Sequence, residues 1–130
     1  MSKLLLDTHA FLWYDQQPRK LSNAVRHAIR SKNAHIYVSP LSIYELAAKI
    51  NRGKLPASEV FISSIERRLL EYQFHILPVL VSHALRAAHL DWDHRDPFDR
   101  MIAAQALEEQ CVLITKDAAF TSLKGLKTMW

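Results

Sequence analysis

Several acids in this chain stand where a bare carboxylate is hard to place. Asp7 directly follows Leu4, Leu5 and Leu6, and burying an ionised carboxylate at the end of an apolar run is costly unless a cation or hydrogen-bond donors neutralise it. Glu45 lies between Tyr44 and Leu46 and shares a helical face with Leu41 and Ala48. Asp96 and Asp99 bracket Pro97 and Phe98, and Asp117 closes Leu113-Ile114-Thr115-Lys116. Each acid also has a purely structural use. Asp7 can cap a helix opening at Thr8 or His9, Glu45 can pair with Lys49 four residues on, Asp96 and Asp99 can cap a helix and offset its dipole, and Asp117 can cap a turn over 118–120. One cap suffices at Asp96, so Asp99, at the inner edge of a face with Phe98, Met101, Ile102 and Ala106, is assigned to the chemistry.

Together the structural uses demand a separate explanation for every acid of a protein that is basic overall. Carboxylates without nearby cysteines are hard oxygen ligands suited to Mg²⁺ or Mn²⁺. His83, His89 and His94 show no zinc-motif spacing. Ser42, one turn before Glu45, can hold its carboxylate or a water.

The elements that must bring these acids together are legible as alternating strands and helices. Residues 3–6 read as a strand buried on both faces, followed by a short helix over 9–15 that Pro18 interrupts and by a helical pattern from Ser22. Strand two is 35–38. Ser39-Pro40 is a cap followed by proline at the first helical position, so 40–52 is predicted helical, closed by Gly53. Ser58 opens another helix to about Tyr72, strand three is 74–79, and 82–90 is a short helix. Asp96-Pro97 repeats the cap-and-proline signal for a helix through Gln110. Strand four is 111–115, and a short terminal strand lies around 127–129. The pattern predicts a single α/β domain over 1–130: a parallel sheet of four to five strands joined by right-handed crossovers, flanked by helices on both faces. Ligands of such sheets gather beyond the carboxyl ends of the strands, the rim where Asp7, Asp117 and the helices opening at Pro40 and Pro97 fall.

Composition narrows the classes. A 130-residue chain with 49% apolar residues builds one core. Its longest apolar runs, 76–81 and 10–14, fall far short of the roughly 20 residues that cross a bilayer. The start lacks a secretory h-region, so no membrane association and a cytoplasmic location are expected. Cys111 has no disulfide partner and reads as a packed thiol. Seventeen basic against thirteen acidic residues give a charge of +4, which favours polyanions weakly.

The stretches Leu4-Leu5-Leu6-Asp7-Thr8-His9, Ser39-Pro40-Leu41-Ser42-Ile43-Tyr44-Glu45-Leu46, His94 to Ala106 with Asp96-Pro97-Phe98-Asp99-Arg100, and Leu113-Ile114-Thr115-Lys116-Asp117 resemble the four ordered motifs of PIN domains, specifically the VapC-like toxins of toxin–antitoxin pairs. The resemblance spans nearly the whole chain. It implies a PIN-like fold and a Mg²⁺- or Mn²⁺-dependent endoribonuclease in which Asp7, Glu45 and Asp99 are the central catalytic and metal-holding acids and Asp117 is a fourth. Thr8 matches the hydroxyl beside the first acid, and Ser42, Asp96 and Thr115 stand as supporting groups. It also implies an RNA substrate, a cognate antitoxin and a homodimer. Arg100 and Lys116 adjoin proposed ligands and are the expected phosphate contacts.

Other classes are less well served. A phospho-acceptor receiver domain needs an aspartate after strand three, yet 74–82 holds no acid. A haloacid-dehalogenase-type phosphatase wants a second aspartate two after Asp7, where His9 stands. A non-catalytic RNA-binding module is the alternative, with RNA affinity indifferent to chelator.

Overall fold

The computed structural model describes residues 2–55 and 59–130. Five strands, β1 (Ser2–Leu6), β2 (Ala34–Val38), β3 (His75–Ile76), β4 (Val112–Ile114) and β5 (Thr128–Met129), form one sheet in the order β3-β2-β1-β4-β5, and every pairing is parallel. Six helices connect them: α1 (Thr8–Gln16), α2 (Asn23–Arg30), α3 (Pro40–Asn51), α4 (Glu59–Tyr72), α5 (Val81–His89) and α6 (Pro97–Glu109), with 3₁₀ turns at Pro18–Lys20 and Ala118–Ser122. The start of the fourth helix expected at Ser58 lies outside the described residues.

Side-chain alternation along the central strand divides the core. Leu4 and Leu6 pack with Phe11, Val25, Leu46 and Phe61 on one face, whereas Leu5 packs with Ile102, Ala103 and Phe120 on the other. Helices α1 to α4 thus cover one face and α6 the other. The caps form as their residue types predict: Ser22 accepts from Val25 N–H, Ser39 from Leu41 N–H, and Asp96 from Phe98 and Asp99 N–H. Strand three is shorter than expected. Pro78 has no N–H to continue the ladder, and the buried Gln105 amide donates to the Leu77 and Pro78 carbonyls in place of a neighbouring strand.

Topology fixes the reactive rim. The chain moves outward from β1 to β2 and β3, then returns to pair β4 on the other side of β1. The order reverses between β1 and β4, and the crevice beyond their carboxyl ends is where such sheets bind ligands. One further contact ties α1 to α4. The Asp15 side chain is fully buried and paired with Arg68 Nη1 at 2.9 Å, with the Tyr72 hydroxyl also donating to it. Burial, then the Asp15 contact, pushes the Tyr72 phenol up to about 12. Arg68→Ala leaves that carboxylate with only neutral donors, from Tyr72 and Gln16, and chemical denaturation is expected to show a loss of about 3 kcal/mol.

Candidate active site

Asp7 leaves β1 and caps α1. Its Oδ1 accepts from Ala10 N–H at 2.8 Å, and its own N–H donates to the Ile114 carbonyl of β4 at 3.0 Å. Asp7 is 9% exposed, and no Lys or Arg pairs with its carboxylate among the described residues. Burial raises its pKa above the usual carboxylate value, against hydrogen bonds from Thr115 and Ala10. Thr115 also accepts from Asp117 N–H at 3.0 Å, so one hydroxyl links the ends of both central strands.

Glu45 reaches the rim from α3. The Thr8 hydroxyl donates to its Oε1 at 2.6 Å and lies 3.0 Å from the buried Ser42 hydroxyl, while Lys49 approaches Oε2 at 3.1 Å. Ser42 thus supports Glu45 through Thr8 instead of holding the carboxylate itself, and the expected pair with Lys49 coexists with a place on the rim. Asp99 projects from the first turn of α6, where Asp96 supplies the cap. Burial is the main cause that raises its pKa, with the Asp96 and Asp117 charges adding to it and His94 opposing. Asp117 caps the 3₁₀ turn through Ala119 N–H at 2.9 Å and still faces the same space.

Asp7, Thr8, Glu45, Asp96, Asp99 and Asp117 line one cleft of about 190 Å³. A larger cleft at the amino-terminal ends of β1 and β4, lined by Lys3, Gln110 and Lys127 among others, carries no carboxylate among its described residues. The acids are therefore gathered on one rim.

Two residues act differently from the sequence expectation or were not foreseen. Arg100 was expected to contact phosphate. Its guanidinium instead donates to four main-chain carbonyls, those of Ala87 (3.1 Å), Trp92 (2.7 Å), His94 (2.9 Å) and Leu90 (2.8 Å). A planar fork with five donors closes the segment between α5 and α6 and is not directed at the cleft. The second is His94, whose Nε2–H donates to Asp99 Oδ2 at 2.7 Å and whose ring lies against Trp92. No periodicity marks it, because it sits in an irregular segment; its sequence signals are proximity to the Asp96-Pro97 cap and its place at the start of the motif stretch His94 to Ala106. Lys116 is exposed and lines a shallow cleft with Asp7, His9, Trp13 and Asp117.

Whether these residues suit a divalent ion follows from the donor set. The rim presents hard oxygens and buried like charges, and among the described residues no Lys or Arg pairs with Asp7 or Asp99, a combination that a divalent ion would satisfy. Among the described residues no three rim carboxylates bring oxygens within 4.8 Å of one another. That spacing suits Mg²⁺, which keeps several waters and takes one or two carboxylates directly. The tighter group of His83, Glu108 and Glu109 suits an ion less well. His83 Nδ1 accepts from Leu80 N–H at 3.0 Å, so neutral Nε2 carries the proton and donates it to Glu109 at 2.9 Å. The group pins α5 to the far end of α6.

The raised acids fix a sign for pH. A carboxyl whose folded pKa exceeds its unfolded value of 3.8 binds more protons in the native state, so stability falls as pH rises through the window above 3.8. Thermal melts of chelator-treated protein are expected to decline across that window, and Mg²⁺ at neutral pH is expected to raise the melting temperature.

Comparison with known proteins agrees with this geometry. Residues 4–126 match the PIN domain family model. Ribonuclease VapC22 of Mycobacterium tuberculosis is 29% identical over the full length of both chains. The DNA-bound VapBC structure from Salmonella typhimurium superposes with a TM-score of 0.76 at 18% identity, covering 99% of this chain and 98% of that one. VapBC-5 from Mycobacterium tuberculosis, of the VapBC family of toxin–antitoxin systems, gives 0.64 at 20% identity, covering 99% and 97%. These solved neighbours share the fold, and with the family match over nearly the whole sequence the chain belongs to the PIN domain family.

Proposed function

We propose that the protein is a metal-dependent endoribonuclease that hydrolyses RNA phosphodiester bonds, acting as the toxin of a toxin–antitoxin pair. The observation that carries the reading is the convergence of Asp7, Glu45, Asp99 and Asp117 on one cleft at the switch point of the sheet. Its similarity to a relative named as a ribonuclease supports it. A cognate antitoxin and self-association belong to the same reading, prompted by the motif resemblance and by neighbours from toxin–antitoxin systems.

Asp7 and Asp99 would hold a Mg²⁺ or Mn²⁺ ion, with Glu45 and Asp117 at its flanks. Such an ion makes water more nucleophilic and stabilises charge developing on phosphate and leaving oxygen. The chain supplies orientation. Thr115 and Ala10 N–H fix Asp7, Thr8 fixes Glu45, and His94 fixes Asp99 while holding a proton at Nε2. Glu45 or Asp117 would orient an attacking water, and Lys116 would contact a phosphate oxygen.

The test is incubation of antitoxin-free protein with structured and unstructured RNAs in Mg²⁺, Mn²⁺ or EDTA. Cleavage in either metal and none in EDTA is expected. RNA bound equally with and without chelator, and never cut, would instead indicate a non-catalytic binding module. Thr8→Val, which frees Glu45 Oε1, is expected to lower kcat roughly tenfold to a hundredfold in a steady-state assay, the usual effect of losing a partner that orients a ligand.

A further inference from the structure

Three clefts run into one another along α1. The acid-lined cleft shares Asp7, His9 and Asp117 with the shallow cleft that adds Trp13 and Lys116. That one shares His9 and Trp13 with a third, of about 360 Å³, which extends to Gln17 and Lys20. The helix capped by Asp7 runs along the groove: His9 and Trp13 lie one turn apart on the same face, and the 3₁₀ turn that follows adds Lys20 to its lining.

We propose that this groove is a subsite for one unpaired nucleotide flanking the scissile phosphate, with the base stacked on the Trp13 indole and its phosphates met by Lys116 and Lys20. The proposal rests on the nuclease reading above and adds to it where the strand runs. Charge supports the path. The third cleft has no carboxylate among its described lining residues and ends in a lysine, so the groove changes from acidic to basic away from the cleft, as a polyanion leaving a metal-bearing site requires.

The platform is also built for stacking. Trp13 is half-buried, steadied by Trp130 edge-on with ring centroids 5.7 Å apart at 68° and by His9 at 5.5 Å. What covers it is the exposed Lys20, whose Nζ lies 5.4 Å from the ring centroid. An exposed cation–π contact is weaker than a base stacked on an aromatic ring. An incoming base therefore displaces the lysine, which is then free to reach phosphate. Only a base outside a duplex can make this contact, so the groove selects single-stranded or looped RNA. A third cleft of this size lies within the range of small-ligand pockets.

The test walks an abasic nucleotide through a cleaved oligoribonucleotide and measures kcat and KM for the parent, Trp13→Leu, Trp13→Tyr and Lys20→Ala, with circular dichroism checking each fold. For the parent, loss of the base at one position beside the cut is expected to raise KM roughly tenfold with kcat little changed. Trp13→Leu should raise KM similarly on intact RNA and be insensitive to the missing base, while Trp13→Tyr restores most of the affinity. Lys20→Ala, which alters only an exposed side chain, should raise KM severalfold and flatten the salt dependence. Identical abasic profiles for the parent and Trp13→Leu overturn the proposal while leaving the nuclease reading intact. So does unaltered RNA behaviour with lost antitoxin binding, which would give the groove to a protein partner. If the parent cuts no RNA, the nuclease reading fails by itself. The groove is then read by titrating single-stranded RNA containing 2-aminopurine, whose fluorescence the parent should quench and Trp13→Leu should not.

Discussion

An Asp99→Asn protein is expected to cleave RNA at least about a thousandfold more slowly than the parent and to melt at the same temperature or higher. The first half follows from the several kcal/mol that a bound divalent ion contributes to stabilising the transition state. Without its charge, the residue that shares the cleft with Asp7 and Asp117 no longer attracts the ion. The second half follows from burial and like charge, which raise the Asp99 pKa and so mark its ionised form as unfavourable in the metal-free protein. Asparagine can still accept from His94. Asp7→Asn should behave the same way, since its carboxylate is the more buried of the two and also lies at the end of β1. Lost activity accompanied by a lowered melting temperature would indicate a structural role instead.

Arg100→Ala is expected to destabilise the fold by about 3 kcal/mol, because four main-chain carbonyls lose their donor at once and an unmet buried acceptor costs about 1–3 kcal/mol. For a chain of this length that corresponds to a fall of roughly 10 °C in melting temperature, measured by calorimetry. Arg100→Lys should recover only part of it, since an ammonium cannot reproduce a planar fork. With Arg100 turned inward, the lysine variant, where folded, should keep the parent KM for RNA. A tenfold higher KM without loss of stability would restore the phosphate contact expected from the sequence.

The contrast between Arg100 and Asp99, adjacent in sequence, shows what a linear reading resolves. The place of Asp99 on the cleft was legible because its alternative use was already filled: Asp96 caps α6, as the cap-and-proline signal requires. The sheet was legible for a similar reason, since short apolar runs bounded by caps leave few topologies. Arg100 was not, because a guanidinium beside an acidic motif and one serving a loop look identical until the loop's carbonyls are placed. His94 was missed because irregular segments have no period to betray which way a side chain points. Strand three came out too long because an apolar run does not reveal that Gln105, 28 residues after Leu77, takes its carbonyls. At Asp7, Glu45 and Asp117 the structural uses proved compatible with a place on the cleft. Asp7 and Asp117 cap a helix and a turn and Glu45 pairs with Lys49, yet all three face the cleft.

Mn²⁺ titration followed by electron paramagnetic resonance tests most directly where a hard cation binds, without reference to any RNA. The parent and a His83→Gln protein should bind Mn²⁺ alike, whereas Asp7→Asn and Asp99→Asn should each lose that binding. Undiminished Mn²⁺ uptake by both aspartate variants, or its loss only on replacing His83, would contradict the account.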